Sequence, residues 1–213
     1  MTVAILDSGV HVPHPHLGAV EECVAIDESM VDGVDRLGHG TAVAPAIHDL
    51  APGATLIVGK IFDRTLTTNA SVLARGIEWA VSRGARLVNL SLGTANPVHR
   101  ERLSAAVASA AAQGTMIVCA GKANGVLWLP GSLPGVVSVT ADAQLERSEV
   151  MVGPTGFIAA PYPRAIPGVP KERNLSGVSF AVANVTGFLA RVLEGRAEVP
   201  DAEGLLRELG GAG

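Results

Sequence analysis

A chain of 213 residues that is 48% apolar and 17% charged can build a large core and has little scope for disorder. Aromatic residues are only 3%, so that core is predicted to consist of Val, Leu, Ile and Ala, which suits parallel strands covered by helices on both faces. The formal net charge of −4 argues against the basic stripe of a nucleic-acid-binding protein.

The first strand, TVAIL, runs straight into Asp7, Ser8 and Gly9. A carboxylate at the end of a core strand needs a partner, although a turn aspartate is the plainer reading. The start MTVAILDSGV has neither the charged opening nor the cleavage site of a signal peptide. No apolar run is long enough to span a membrane, so a cytoplasmic protein is the simplest reading unless the chain has been trimmed. The run Pro13–His16 reads PHPH. Its spacing and prolines, without an acidic or Cys partner, argue against a metal site. Glu21, Glu22, Asp27, Glu28, Asp32 and Asp35 then crowd a stretch that reads as a solvated acidic loop. Cys23 and Cys119 lie in the apolar runs CVAI and MIVC, as small core residues rather than a disulfide framework.

The segment GHGTAVAPAI sets His39 between two glycines at the start of an apolar helix. Farther on, ECVAI, TLIVGKI, RLVNLSL, TMIVCA and VVSVT read as strands, while NASVLARGIEWAVSRG and PVHRERLSAAVASAAAQG read as helices closed by glycine. Strands alternating with helices predict right-handed βαβ crossovers. The expected fold is a single domain over residues 1–213, a three-layer αβα structure with a mostly parallel, doubly wound sheet. Ligands of such sheets bind beyond the carboxyl ends of the strands. The run LVNLSLG buries Asn89 and Ser91 in what is otherwise a core strand, which calls for partners. The stretch from Glu146 to Leu175, rich in Pro and Gly, reads as a long irregular and functional loop. Residues 178–194 and DAEGLLREL read as the last two helices. In LSGVSFAVANVTG, Ser179 opens a helix, either as a cap or as a nucleophile whose own N–H can stabilise negative charge.

Asp7, His39 and Ser179 thus each occupy a tight Gly-containing setting. A serine hydroxyl becomes a nucleophile when a base lies within hydrogen-bond reach and an anion orients that base. Here the chain resembles the subtilisin-like serine proteases, or subtilases. VAILDSGVHVPHPHL is similar to the family's Asp motif, GHGTAVA to its His motif and GVSFAVANVTG to its Ser motif. GIEWAVSRGARLVNLSLG, LAPGATLIVGKI and PGVVSVTA also match, and the resemblance covers residues 3 to 193. The Asp–His–Ser order is that of subtilisin. The resemblance implies a serine endopeptidase with a peptide or protein substrate, an acyl-enzyme intermediate and no cofactor. It implies catalytic roles for Asp7, His39 and Ser179, substrate pairing along Ser91, Leu92 and Gly93, and a structural role for Asn89. Trimming of a precursor peptide is one task that fits a compact protease. No membrane or nucleic-acid partner is implied, and the oligomeric state is open.

The sequence departs from the family's pattern at several points. Lys122, in CAGKANG, stands where the oxyanion-hole Asn is expected, with Asn124 two residues on. Either residue, or the Ser179 N–H alone, is left to complete the hole. Loss of one such donor costs about 10²–10³ in turnover, a magnitude established in subtilisin. Ala42 replaces a common His and Pro45 a common Gly; Val178, Ala183 and Asn184 replace the usual Thr and Pro-His. These changes raise a second reading, a pseudoenzyme that binds peptides without cutting them. The short segment after the His helix leaves no room for a calcium-binding loop, so no metal is expected there. The chain also starts almost at the Asp strand, so either a propeptide has been removed or the protein is expected to fold unaided. The primary specificity pocket is expected from residues 90–93, 119–124 and the loop with Leu127, Trp128 and Leu129. A P-loop fails because Ala123 replaces Ser or Thr after the GK pair, and an esterase elbow at GVSFA fails because no His comes after Ser179.

Overall fold

The computed structural model describes residues 1–18, 20–123 and 125–210. In chain order it contains β1 (Thr2–Asp7), β2 (Val20–Ala25), α1 (His39–Leu50), β3 (Thr55–Lys60), α2 (Ala70–Ser82) and β4 (Leu87–Leu90). Then come α3 (Arg100–Ala112), β5 (Met116–Ala120), β6 (Lys122–Ala123), β7 (Val126–Leu127) and β8 (Val136–Ala141). The chain closes with β9 (Val150–Gly153), β10 (Gly156–Ala159), α4 (Val178–Val192) and α5 (Ala202–Gly210).

Eight strands form one sheet in the order β2-β3-β1-β4-β5-β8-β10-β9, and β6 pairs with β7 in a small separate ribbon. All neighbours in the large sheet are parallel except β10 and β9. Period-two alternation sends side chains to opposite faces. Val3, Ile5, Leu87, Met116 and Val118 face α1 and α4. Ala4, Leu6, Val88, Leu90, Ile117 and Cys119 face α2 and α3. The result is the expected three-layer αβα arrangement. Each buried Leu, Ile or Val contributes about 1.5–3 kcal/mol, so two such layers supply most of the drive to fold.

The sheet order reverses between β1 and β4. That is the switch point at which open α/β sheets hold their ligands. Asp7 ends one of these strands, and Ser91 comes directly after the other.

The stretch from Glu146 to Leu175 is not irregular throughout. Its first part folds back as the β9–β10 hairpin, in which Phe157 is buried and β10 extends the sheet beside β8. The alternating VMVG and GFIA runs carry this signal, but the glycines at both ends of the turn hide it in a Pro- and Gly-rich segment.

Asn184 accounts for one departure from the family pattern. It is wholly buried, and its Nδ2 donates to the carbonyls of Ala160 and Tyr162, each at 3.0 Å. Arg147 donates to its Oδ1 at 3.4 Å and to the Ala46 carbonyl at 3.1 Å, and it pairs with Asp49. The start of the long segment and the stretch just after β10 are thereby fastened to α1 and α4. Replacing Asn184 with Ala removes the donor from two carbonyls, the buried one of Ala160 and the partly buried one of Tyr162. The expected loss is about 2–3 kcal/mol of stability, seen as a lower urea midpoint at unchanged slope.

Candidate active site

Asp7 has no exposure to water. Its Oδ1 accepts the Ser8 N–H at 2.7 Å and lies 2.7 Å from His39 Nδ1. Oδ2 is buried and has no hydrogen-bond partner among the described residues. Burying a carboxylate is costly unless it is paired, and the His39 ring is the available partner. An ionised carboxylate only accepts, so Nδ1 carries a proton and Nε2 is the basic nitrogen of the neutral ring. The main chain holds Asp7 as well, because its carbonyl accepts the N–H groups of Ile61 and Phe62.

His39 is the first residue of α1. A Cβ on Gly40 would lie 2.1 Å from the Gly9 carbonyl oxygen, so only glycine lets this helix approach the end of β1. The approach is fixed by Asp35, a residue that composition alone assigns to a solvated loop. Asp35 Oδ1 accepts Ser8 Oγ–H at 2.8 Å and the N–H groups of Leu37 and Gly38 at 2.8 and 2.9 Å. Its Oδ2 accepts the N–H and the hydroxyl of Thr41 at 2.9 and 2.6 Å. Ser8 Oγ in turn accepts the Gly40 N–H at 2.9 Å. The start of α1 is thus capped from outside the helix, which satisfies orphan donors there. An Asp just ahead of a glycine and a helix start was the available signal.

Two further carboxylates nearby are also paired. Arg36 holds Asp32 through Nη1 and Nη2, both at 2.8 Å, and this hydrogen bonding lowers the Asp32 carboxyl to about 2. Lys60, fully buried at the end of β3, donates to the Val34 carbonyl at 2.9 Å and to Asp63 at 2.8 Å. The loop that carries Asp35 is therefore tied to the sheet.

Ser179 lies in the first turn of α4, and its Oγ–H donates to the Ser91 carbonyl at 3.2 Å. The next residue, Phe180, packs its ring 5.6 Å from that of His39, so the starts of α1 and α4 face each other across the end of β1. Both polar side-chain atoms of Asn89 have partners. Its Nδ2 donates to Ser91 Oγ at 3.0 Å, and its Oδ1 accepts the hydroxyl of Thr186, on α4, at 3.0 Å. This buried amide therefore sets β4 and Ser91 in register with the helix that carries Ser179. Beyond Ser91, the Leu92 carbonyl accepts from Cys119 Sγ at 3.2 Å, and Thr94 forms an antiparallel bridge with Leu129. Burial pushes the Cys119 thiol up to about 12, so it is inert there.

Of the residues expected at the oxyanion hole, Lys122 lies exposed on β6. It lines a cavity shared with Gly131, Ser138 and α5, which none of Asp7, His39 and Ser179 lines. Asn124 lies outside the described residues. In the expected specificity pocket, Leu127 is exposed on β7 while Leu129 is buried. Among the described residues no cluster of three or more His, Cys, Asp or Glu could hold a metal ion. His14 and His16 instead contact edge to face, with ring centres 5.2 Å apart.

A parallel sheet in this order, with these side chains at its switch point, defines a subtilisin-like α/β protein. A family model described as the Subtilase family matches residues 1–152. The chain is 30% identical to Subtilisin Savinase of Lederbergia lenta over 214 aligned positions, covering 89% of this chain and 75% of that one. It is 32% identical to the thermostable alkaline protease of Halalkalibacterium halodurans over 205 residues, 89% of this chain and 56% of the relative. It spans little more than half of that relative and 54% of subtilisin NAT of Bacillus subtilis subsp. natto. Among solved structures, the prenylagaramide maturation protease PagA superposes with a TM-score of 0.71 at 26% identity, over 98% of this chain and 82% of that one. The patellamide maturation protease PatA gives 0.70 at 28% identity, over 97% and 84%. The chain belongs to the subtilase family.

Burial of the His39 ring pushes its pKa down, but the hydrogen bond and charge of Asp7, with a further contribution from Asp35, outweigh this, and the net shift is upward. A raised folded-state value means that the pairing's stabilising contribution is complete below the unfolded value of about 6.5 and is lost as pH rises through the native midpoint. NMR titration of the His39 ring is expected to show a midpoint above about 6.5 in the Ser179→Ala protein and a lower one when Asp7→Asn is added.

Proposed function

We propose that this chain is a serine endopeptidase that trims precursor peptides. In this reading Ser179 is the nucleophile, His39 the general base and then general acid, and Asp7 the anion that fixes the imidazole. The observation that carries it is the His39–Asp7 pair at 2.7 Å, facing a helix whose first turn holds Ser179. Nε2 of His39 takes the Ser179 proton as Oγ attacks the scissile carbonyl, and Asp7 stabilises the imidazolium that results. The oxyanion forms at the N-terminus of α4. There the Phe180 N–H is taken by the Gly177 carbonyl, while the Ser179 N–H, second in the helix, has no acceptor within it and the helix dipole favours negative charge. Lys122 lines a separate cavity, which leaves Asn124 or the Ser179 N–H alone to complete the hole. His39 then returns its proton to the leaving amine, and water hydrolyses the acyl-enzyme by the same steps in reverse order.

Substrate is read as an extended strand along Ser91, Leu92 and Gly93. Ser179 Oγ–H rests on the Ser91 carbonyl. A peptide N–H arriving at that carbonyl competes for it and favours rotation of the hydroxyl towards His39. Similarity to two proteases named for the maturation of prenylagaramide and patellamide supports precursor trimming as the task.

A fluorophosphonate probe is expected to label the wild-type chain and not Ser179→Ala, with peptide hydrolysis falling by at least about 10⁴-fold in the variant. A folded wild type that resists labelling and co-purifies with an uncut peptide would overturn cleavage and leave a peptide-binding module.

A further inference from the structure

A cavity of about 510 Å³ opens beside the His39 helix. Gly38 and Thr41, on either side of His39, line it, as do Asn174 and Leu175 shortly before Ser179; Ser91, Leu92 and Gly93 do not. On the protease reading, which this inference rests on, its position bears on the two halves of a substrate. The acyl half pairs with the 91–93 strand, whereas His39 must protonate the leaving amine, so the amine half lies against His39. The cavity is on that side.

The lining chemistry is selective. Ala42, Pro45, Ile166 and Leu175 contribute apolar surface, and Ile166 and Leu175 are 46% and 53% exposed. Arg164 adds a positive charge, and His11, His14 and His16 add imidazole rings. Asp35 is the carboxylate among the lining residues, and both of its oxygens are already engaged by Ser8, Leu37, Gly38 and Thr41. A Lys or Arg side chain would therefore meet the Arg164 guanidinium and no free carboxylate among the lining residues, while a large apolar side chain would cover exposed hydrocarbon. Two departures from the family's His motif lie in this wall. Ala42 presents a methyl group where an imidazole is common, and Pro45 stands where glycine is common. The smaller side chain at position 42 leaves the space open.

We propose that this cavity is a specificity site for a bulky apolar side chain among the first two residues after the scissile bond, and that Ala42 is the residue that opens it. The site selects precursors by the residues downstream of the cut, in addition to those upstream. It sets preference and takes no part in the chemistry.

The test uses the full chain and peptides with four alanines before the cut and Phe, Gly or Lys after it, together with a tetra-alanine anilide that has no downstream residue. Wild type is expected to cleave the Phe peptide with kcat/KM at least about tenfold above the Gly peptide, with Lys poorest. Ala42→His should erase most of that preference and leave anilide hydrolysis within about twofold. Ile166→Asp, an exposed change on the opposite wall, should do the same. The Ser179→Ala protein should bind the uncut Phe peptide more tightly than the Gly peptide, and adding Ala42→His should remove the difference. Equal cleavage and equal binding of all three peptides, or equal losses on peptide and anilide, would overturn the proposal. A wild type that binds the Phe peptide selectively but cleaves nothing would sustain this site and refute the protease reading.

Discussion

A negative charge held out of water governs this structure. Asp7 ends a central strand with no solvent access, one of its oxygens is without a partner among the described residues, and the other is bound to Ser8 and His39. Such a group is tolerable only if an imidazole is held against it, and most of the nearby architecture serves that end. Gly40 lets α1 come close enough, Asp35 and Ser8 cap its first turn, and Lys60 ties the preceding loop to the sheet. The resulting rise in the basicity of His39 has its origin in the same constraint.

Much of this was legible in the sequence because it is local. The strand-ending Asp7, the Gly-flanked His39 and the helix-opening Ser179 each sit in short motifs whose backbone requirements show in the residues themselves. The alternation of apolar runs with glycine-closed helices revealed the layered fold for a similar reason. The less legible features depend on partners distant in sequence. Asp35 looks like one more charge in an acidic loop until Ser8 and Thr41 are seen to donate to it. Asn184 looks like a lost motif residue until Arg147 and the carbonyls of Ala160 and Tyr162 surround it. The β9–β10 hairpin was hidden because its apolar alternation is short and its turn is flanked by glycine.

The departures from the family pattern also differ in kind. Asn184 is built into a buried network that joins the long segment to α1 and α4. Ala42 and Pro45 lie on a cavity wall, where their effect is on shape. Lys122 is exposed on a two-residue strand and lines a different cavity from the one beside His39. One altered motif has been absorbed into the core, another reshapes a surface, and the third stands apart from both.

The margins of the large sheet have a consequence for how the molecule meets other chains. At one margin β2 carries Glu21 and Glu22, with Glu22 held by Arg83 and a register irregularity between Val20 and Glu22. At the other, β9 runs antiparallel to its neighbour and packs against α5. Charge, a bulge and a covering helix all discourage uninvited strands from extending a sheet. A protein whose own recognition is proposed to work by adding a strand in its cleft is thereby guarded against polymerising through its rims.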